Sequence, residues 1–452
     1  MKTMNIFDRV GRFLAGIRQL RSWWPFMGAL LVLLAACWAS TGTLAPYATT
    51  HPTPLELRCG YLANIDHPVH FQPFLLFKGA PPELWQSSIL LRRILYPVLA
   101  WPLVAQLGYD MGGLLTNILL TLAGILVWLL FIHRQVGRTG AITSAWLLAT
   151  YPGITYWVGL PYSYAVIVPA MLIACVLLWK IAQESAPISH IVLFCSGIGI
   201  LLTSYDGLMP ILVPAVLWIL WRRRWVRRIP VAMVGLIWPM GLNLVFLHGV
   251  LGVNLYNSNS QTYRIILGSW LHASFSWQNG WDQLLELPTL AAHLFFFSNF
   301  FFLPLAFLFF VVLMKKYDGM GLNLVEEGIL VASVVFFLFL NLAPDYPGWQ
   351  MRGTWIARIY QPVFVVFVFY LSRGLGQTLA IQSGRRRWAI AMVGVTVIAN
   401  GWIVFGGLHA SRISDWAYRN FYQHGEPFRY SYNLEKYGIR PLGFCRQPSA
   451  SP

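Results

Sequence analysis

Charge is what this chain lacks. Only 11% of its 452 residues are Asp, Glu, Lys or Arg, against 57% hydrophobic residues, where a soluble domain carries roughly 25% charged residues. That shortage, with a clearly positive mean hydropathy, excludes a water-soluble globular protein and predicts a polytopic membrane protein. Acids are scarcer still: 16 Asp and Glu stand against 32 Lys and Arg, for a formal net charge of +16. The basic residues form no contiguous face, which argues against nucleic acid as a partner. They fall instead at the ends of apolar runs, the pattern of the positive-inside bias. There are five cysteines but no CxxC, no Gly-rich phosphate loop and no Ser-His-Asp arrangement. Internal repeats, low-complexity tracts and a separate soluble domain are also missing.

Long apolar runs are what the chain does have. A helix needs about 20 apolar residues to cross the hydrocarbon core, and the runs place spans at roughly 23–44, 111–133, 140–160, 162–180, 188–204, 206–221, 229–250, 290–314, 325–343, 355–372 and 388–408. The fold expected is all-α, with about eleven crossings. Arg9, Arg12, Arg18 and Arg21 precede the first run and no cleavage pattern follows it, so an uncleaved first helix is expected. With the N-terminus inside, His133–Arg138, Lys180, Arg222–Arg228, Lys315–Lys316, Arg373 and Arg385–Arg387 all fall on one side, read as cytoplasmic. The orientation is therefore N-in and C-out. Residues 1–408 form the transmembrane domain, with a first outer loop at about 45–110, and 409–452 form an outer tail rich in aromatics, able to pack on the loops.

Within the first loop, "LLRRILYPVLAWPLVAQLGYD" (Leu90–Asp110) combines an apolar side with Arg92, Arg93 and two prolines, the mark of a helix lying in the interface. The order of a first helix, a long outer loop with an early Asp, this "RRILYPVLAWPL" helix and a span ending "LLFIHRQVGR" resembles the GT-C superfamily of membrane glycosyltransferases. The nearest resemblance is to bacterial relatives of the protein mannosyltransferase and aminoarabinose transferase group. "LLATYPGITYWVGLPYSYAVIVPAMLIACVLLW" looks like that group's third and fourth helices, and "GIGILLTSYDGLMPILVPAVLWILWRRRW" like its fifth and sixth. Ser204 departs from the group's pattern, which often has a basic residue there.

The resemblance implies transfer of a sugar from a polyprenyl-phosphate-linked donor to a glycan, lipid or protein acceptor, with inversion, at the outer face of a bacterial inner membrane. Inversion at an anomeric carbon needs a carboxylate to take the acceptor's proton and cations where charge develops on the leaving phosphate. Asp66 is the first candidate base. It lies in the loop where the resemblance expects the catalytic Asp, among Tyr61, Ile65, Pro68, Val69 and Phe71, although an Asp before Pro68 also suits a simple turn. Asp206, beside Tyr205 at the outer end of a hairpin between two spans, is the second candidate, against a helix-capping reading. Arg92, Arg93, Arg264, Arg352 and Arg358 are the outer cations able to hold a phosphate. For Arg358, snorkelling to the headgroups is the competing account.

No cofactor is expected. Asp66, His67 and His70 have a D-H-x-x-H spacing that could ligate a divalent metal, with Pro68 breaking its regularity. Cys59 and Cys445 are the two cysteines placed outside by the topology, which predicts a disulfide between them, with two unrelated thiols as the alternative. Two other readings remain. A polysaccharide polymerase or O-antigen ligase would carry its dominant outer loop late in the chain, whereas here it is the first. A lipid or sugar flippase would need mid-span polar residues or a repeat.

Overall fold

The computed structural model describes residues 24–42, 73–82, 85, 89–158, 163–183, 187–253, 321–341, 365–374 and 383–405. Every element formed by those residues is helical. In chain order the α-helices are α1 (Trp24–Gly42), α2 (Leu95–Leu107), α3 (Tyr109–Val136), α4 (Arg138–Ala149), α5 (Pro152–Val158), α6 (Ile167–Ile181), α7 (Ile188–Leu202), α8 (Met209–Arg222), α9 (Ile229–Val245), α10 (Leu324–Asn341), α11 (Val365–Gly374) and α12 (Ser383–Phe405). Short tight turns at Ile89–Arg93, Ser163–Val166, Asp206–Leu208 and Val226–Arg228 lead into α2, α6, α8 and α9, and a π-turn at Phe246–Val250 ends α9.

Among the described residues three continuous helical stretches are long and apolar enough to cross a membrane: Met111–Val136, Ser163–Ile181 and Val226–Val250. Each lies on an apolar run of the sequence. The run at 140–160 is different, being two helices, α4 and α5, parted at Tyr151. Pro152 explains the break, since it disfavours helical backbone in the residue before it and suits the first position of a new helix. The run at 290–314 lies outside the described residues.

Two glycines set the early path. Gly108, between α2 and α3, has φ +80°, and Gly137, between α3 and α4, has φ +90°. Both values lie where a side chain is rarely tolerated. Each lets one helix end and the next begin within a single residue, so α2 folds back on α3 and α3 on α4.

Small residues let the helices approach closely, as helices packing in lipid require. At Gly199 on α7 a Cβ would come within 2.5 Å of the Leu236 carbonyl on α9, and at Gly124 on α3 one would meet Pro169 on α6 at 2.5 Å. The centre is aromatic. Trp128 and Phe131 of α3, Trp179 of α6 and Phe369 of α11 meet with ring centroids 5.3–5.7 Å apart. The Trp128 indole donates to Ser144 of α4, whose hydroxyl bonds Ser372 of α11. Outward positions on α9, such as Val234, Ile237 and Leu242, are apolar and exposed.

The ends of the bundle differ. At the foot of α6, Arg223 donates to the carbonyl of Ala182, Arg222 pairs with Glu327, and Glu326 pairs with Arg373. At its head, Ser163 meets the buried Arg93. A stretch of 19 residues, Ser163–Ile181, separates the two ends, about 28 Å at 1.5 Å per residue.

Candidate functional site

Arg92 and Arg93 close the tight turn Ile89–Arg93 that precedes α2. Leu91, inside the same turn, is fully buried in a small core with Leu75, Trp85, Leu247 and Val253. That peg orients the turn and sends the neighbouring arginines towards the loop between α7 and α8. The α7 end is prepared for them. Thr203 and Ser204 turn their hydroxyls back onto the carbonyls of Ile200 and Leu201, a local bond that competes with continuing the helix. Tyr205 is then extended, with φ −152°. Its ring lies so close to Gly207 that a Cβ there would be 2.4 Å from a ring carbon. The Asp-Gly pair thus has a reason: glycine is the residue over which the Tyr205 ring can lie.

Asp206 receives both arginines. Arg93 Nε donates to Oδ1 at 2.7 Å, and Arg92 Nε stands 2.5 Å from Oδ2. Arg93 also donates to the Ser163 hydroxyl at 3.3 Å. Its guanidinium lies 4.3 Å from the Tyr205 ring centroid and 5.6 Å from that of Tyr164, and these two rings meet edge to face. Cation–π contact in a desolvated setting adds to the hold on Arg93. Burial works against the ionised form of Asp206, but the two guanidinium groups outweigh it and hold the carboxyl below its usual range. Burial likewise works against the Arg93 charge, and Asp206 more than restores it. The result is an ionised cluster in which, among the described residues, two arginines share one carboxylate.

Four residues singled out in the sequence, Arg92, Arg93, Tyr205 and Asp206, are therefore brought together across 113 positions. The face of Tyr205 is occupied by Arg93, and the residue is 6% exposed. Asp66, Arg264, Arg352, Arg358, Cys59 and Cys445 lie outside the described residues, as do His67 and His70. The cysteines that are described, Cys37, Cys175 and Cys195, are buried free thiols. Among the described residues no three of His, Cys, Asp and Glu gather as a metal site requires.

Sequence reasoning missed Ser163 and Tyr164, though "YSY" opens an apolar run just as Asp206 opens its own. It also missed Asn243, a lone amide in an apolar run, whose Nδ2 donates to the carbonyl of Arg92 at 2.7 Å. A polar side chain inside a span is by itself reason for notice. The second buried pair was missed as well. Glu326 is fully buried and takes a 2.7 Å bond from Arg373, which also donates to the Gly321 carbonyl. Asn323 caps α10 through its Oδ1.

Chemically, the Arg92–Arg93–Asp206 cluster is suited to hold an anion. Guanidinium forks match phosphate oxygens and do not lose their charge. An Asp bound by two arginines is a weak proton acceptor and a good holder of those arginines. No family model, no curated protein and no solved structure matches the chain.

Proposed function

We propose that the chain is a membrane glycosyltransferase of the GT-C type, using a polyprenyl-phosphate-linked sugar at the outer face of a bacterial inner membrane. In this reading the chain crosses about eleven times, N-in and C-out, and the end of the bundle bearing Asp206 faces outward. The observation that carries it is the convergence of Arg92 and Arg93 on one buried carboxylate, at the bundle end opposite Arg222, Arg223 and Arg373. A preorganised pair of guanidinium groups in a water-poor setting stabilises the charge that develops on a departing phosphate.

Val98 and Leu99, exposed on α2 just beyond the arginines, give a polyprenyl tail an apolar surface beside its phosphate. Asp206 aligns the arginines. Asp66 is the base that takes the acceptor's proton, contributing about 10²–10⁴-fold. Arg264, Arg352 and Arg358 are further candidates for holding the phosphate, and no cofactor takes part.

Transfer frees the carrier, so the test follows polyprenyl phosphate. The purified protein is reconstituted with a bacterial envelope lipid extract, and polyprenyl phosphate release is followed by mass spectrometry. The wild type releases it above a protein-free control and Asp66→Asn does not. Release that is absent from the wild type, or equal in the two proteins, refutes the reading; lipid that crosses the bilayer with its sugar intact reassigns the protein to transport.

A further inference from the structure

We propose that Asn243 is a positioning residue for the anion site, fixing the angle at which Arg92 and Arg93 face their ligand. The inference rests on reading that arginine pair as the holder of a phosphate. It begins from where Asn243 sits. Its neighbours on α9, Leu242, Leu244 and Val245, are exposed apolar residues, the positions of a lipid-facing helix. An amide in such surroundings is unfavourable unless its polar atoms are bonded within the protein.

One of them is bonded. The Nδ2 group donates at 2.7 Å to the carbonyl of Arg92, at the end of the Ile89–Arg93 turn. Carbonyls at helical ends lack a partner within their own helix, so this bond ties the turn to α9. The other atom, Oδ1, is buried with no hydrogen-bond partner among the described residues. A leucine of similar size would avoid that orphan, so stability alone does not account for the amide.

A second hold comes from below. The π-turn at Phe246–Val250 follows Asn243 by three residues and directs Leu247 inward against Leu91; such turns recur at functional sites. Leu91 is thus a peg on one side of the turn and the Asn243 bond a tie on the other. A turn held by the peg alone could rotate about it. The tie stops that rotation, and with it the swing of the two guanidinium groups away from Asp206. The backbone N–H of Leu95, which donates to the Thr203 carbonyl at 3.3 Å, references the same turn to the segment that carries Asp206.

The experiment uses the full chain in detergent and farnesyl phosphate as the probe, with affinity and thermal midpoint both measured. Asn243→Leu is expected to weaken binding about three- to tenfold, the size of one lost hydrogen bond, with a midpoint near that of the wild type. Asn243→Gln, which keeps the amide on a longer arm, is expected to recover part of the loss. A purely structural residue would lower the midpoint and leave the affinity of the folded protein unchanged. Where the leucine variant does not fold, Asn243→Ser serves the same comparison. Equal affinities in the wild type and Asn243→Leu, with Arg93→Gln binding nothing, overturn the positioning role and leave the site standing. A wild type that does not bind farnesyl phosphate overturns the site itself, and this inference with it.

Discussion

At one end of the Ser163–Ile181 span Arg92 and Arg93 share a single carboxylate, Asp206; at the other, Arg222 and Arg373 each have their own, Glu327 and Glu326. Both clusters join elements distant in sequence, but the Arg222 side chain is 51% exposed where that of Arg93 is 9% exposed. They differ in pairing and in the backbone that carries them. The second gives each acid its own base, Glu326 with Arg373 and Glu327 with Arg222, at the ends of regular helices. It joins α10 to α11 through Glu326 and α8 to α10 through Glu327. The first sets two arginines on one described carboxylate and is carried on short tight turns, Ile89–Arg93 and Asp206–Leu208, with two tyrosine rings on Arg93.

The difference separates a staple from a site. Burial alone does not separate them, since Glu326 is as enclosed as Arg93. A buried ion pair at charge parity needs no third party, and breaking it leaves an uncompensated charge. Two arginines on one carboxylate, carried on turns steadied from outside, are placed to receive an anion. In the reading proposed here that anion is the donor's phosphate.

The comparison can be broken from either end. Arg93→Gln should reduce turnover about 10²–10³-fold, the scale for removing one preorganised donor to a developing negative charge, with the protein still folded; near-normal turnover would make the first cluster a staple too. Arg373→Gln should do the reverse. Loss of one partner of a buried pair costs about 3–5 kcal/mol of stability, with farnesyl phosphate affinity of the folded protein unchanged, as a binding assay alongside a thermal melt would record.

Asp206→Asn sharpens the contrast through pH. The folded carboxyl is held below its usual range, so its stabilisation is full above the unfolded value of about 3.9 and is lost as pH falls through the folded value. The wild type should show an acid loss of stability below about pH 4 that is smaller in Asp206→Asn, and identical acid profiles would detach Asp206 from the pair. The smallest effect is away from both clusters. Gly199→Ala places a Cβ against the Leu236 carbonyl at 2.5 Å, forcing α7 from α9 at about 1–3 kcal/mol, with neither cluster altered; an unchanged melting point would show that the two helices yield freely.

Much of the helical layout was legible, because crossing a membrane writes itself as apolar length. The runs at 111–133, 162–180, 188–204 and 229–250 each carry a described helix within a few residues of their bounds. The break at Tyr151 was also written, in Pro152, but an unbroken hydropathy concealed it. The candidate site was legible as parts. Arg92 and Arg93 stood out as charges in an interfacial helix, and Tyr205 and Asp206 as polar residues at a span's end.

Their meeting was not legible, since periodicity speaks of neighbours in sequence and the pairing spans 113 positions. The second cluster escaped for a related reason. Arg373 had a sufficient explanation as a basic residue flanking a span, and nothing in the run around Glu326 distinguishes a buried acid from one in the headgroups. Asn243 was overlooked because one amide scarcely alters the hydropathy of "IPVAMVGLIWPMGLNLV".

The lipid held by the protein bears most directly on the proposed function. The wild type and Arg93→Gln, extracted gently from their native membrane, are compared by native mass spectrometry with the bound lipid released and identified. The account predicts a polyprenyl phosphate, with or without its sugar, on the wild type and its loss from Arg93→Gln. A wild type that carries only bulk phospholipid, or a variant that retains the polyprenyl phosphate in full, would contradict it.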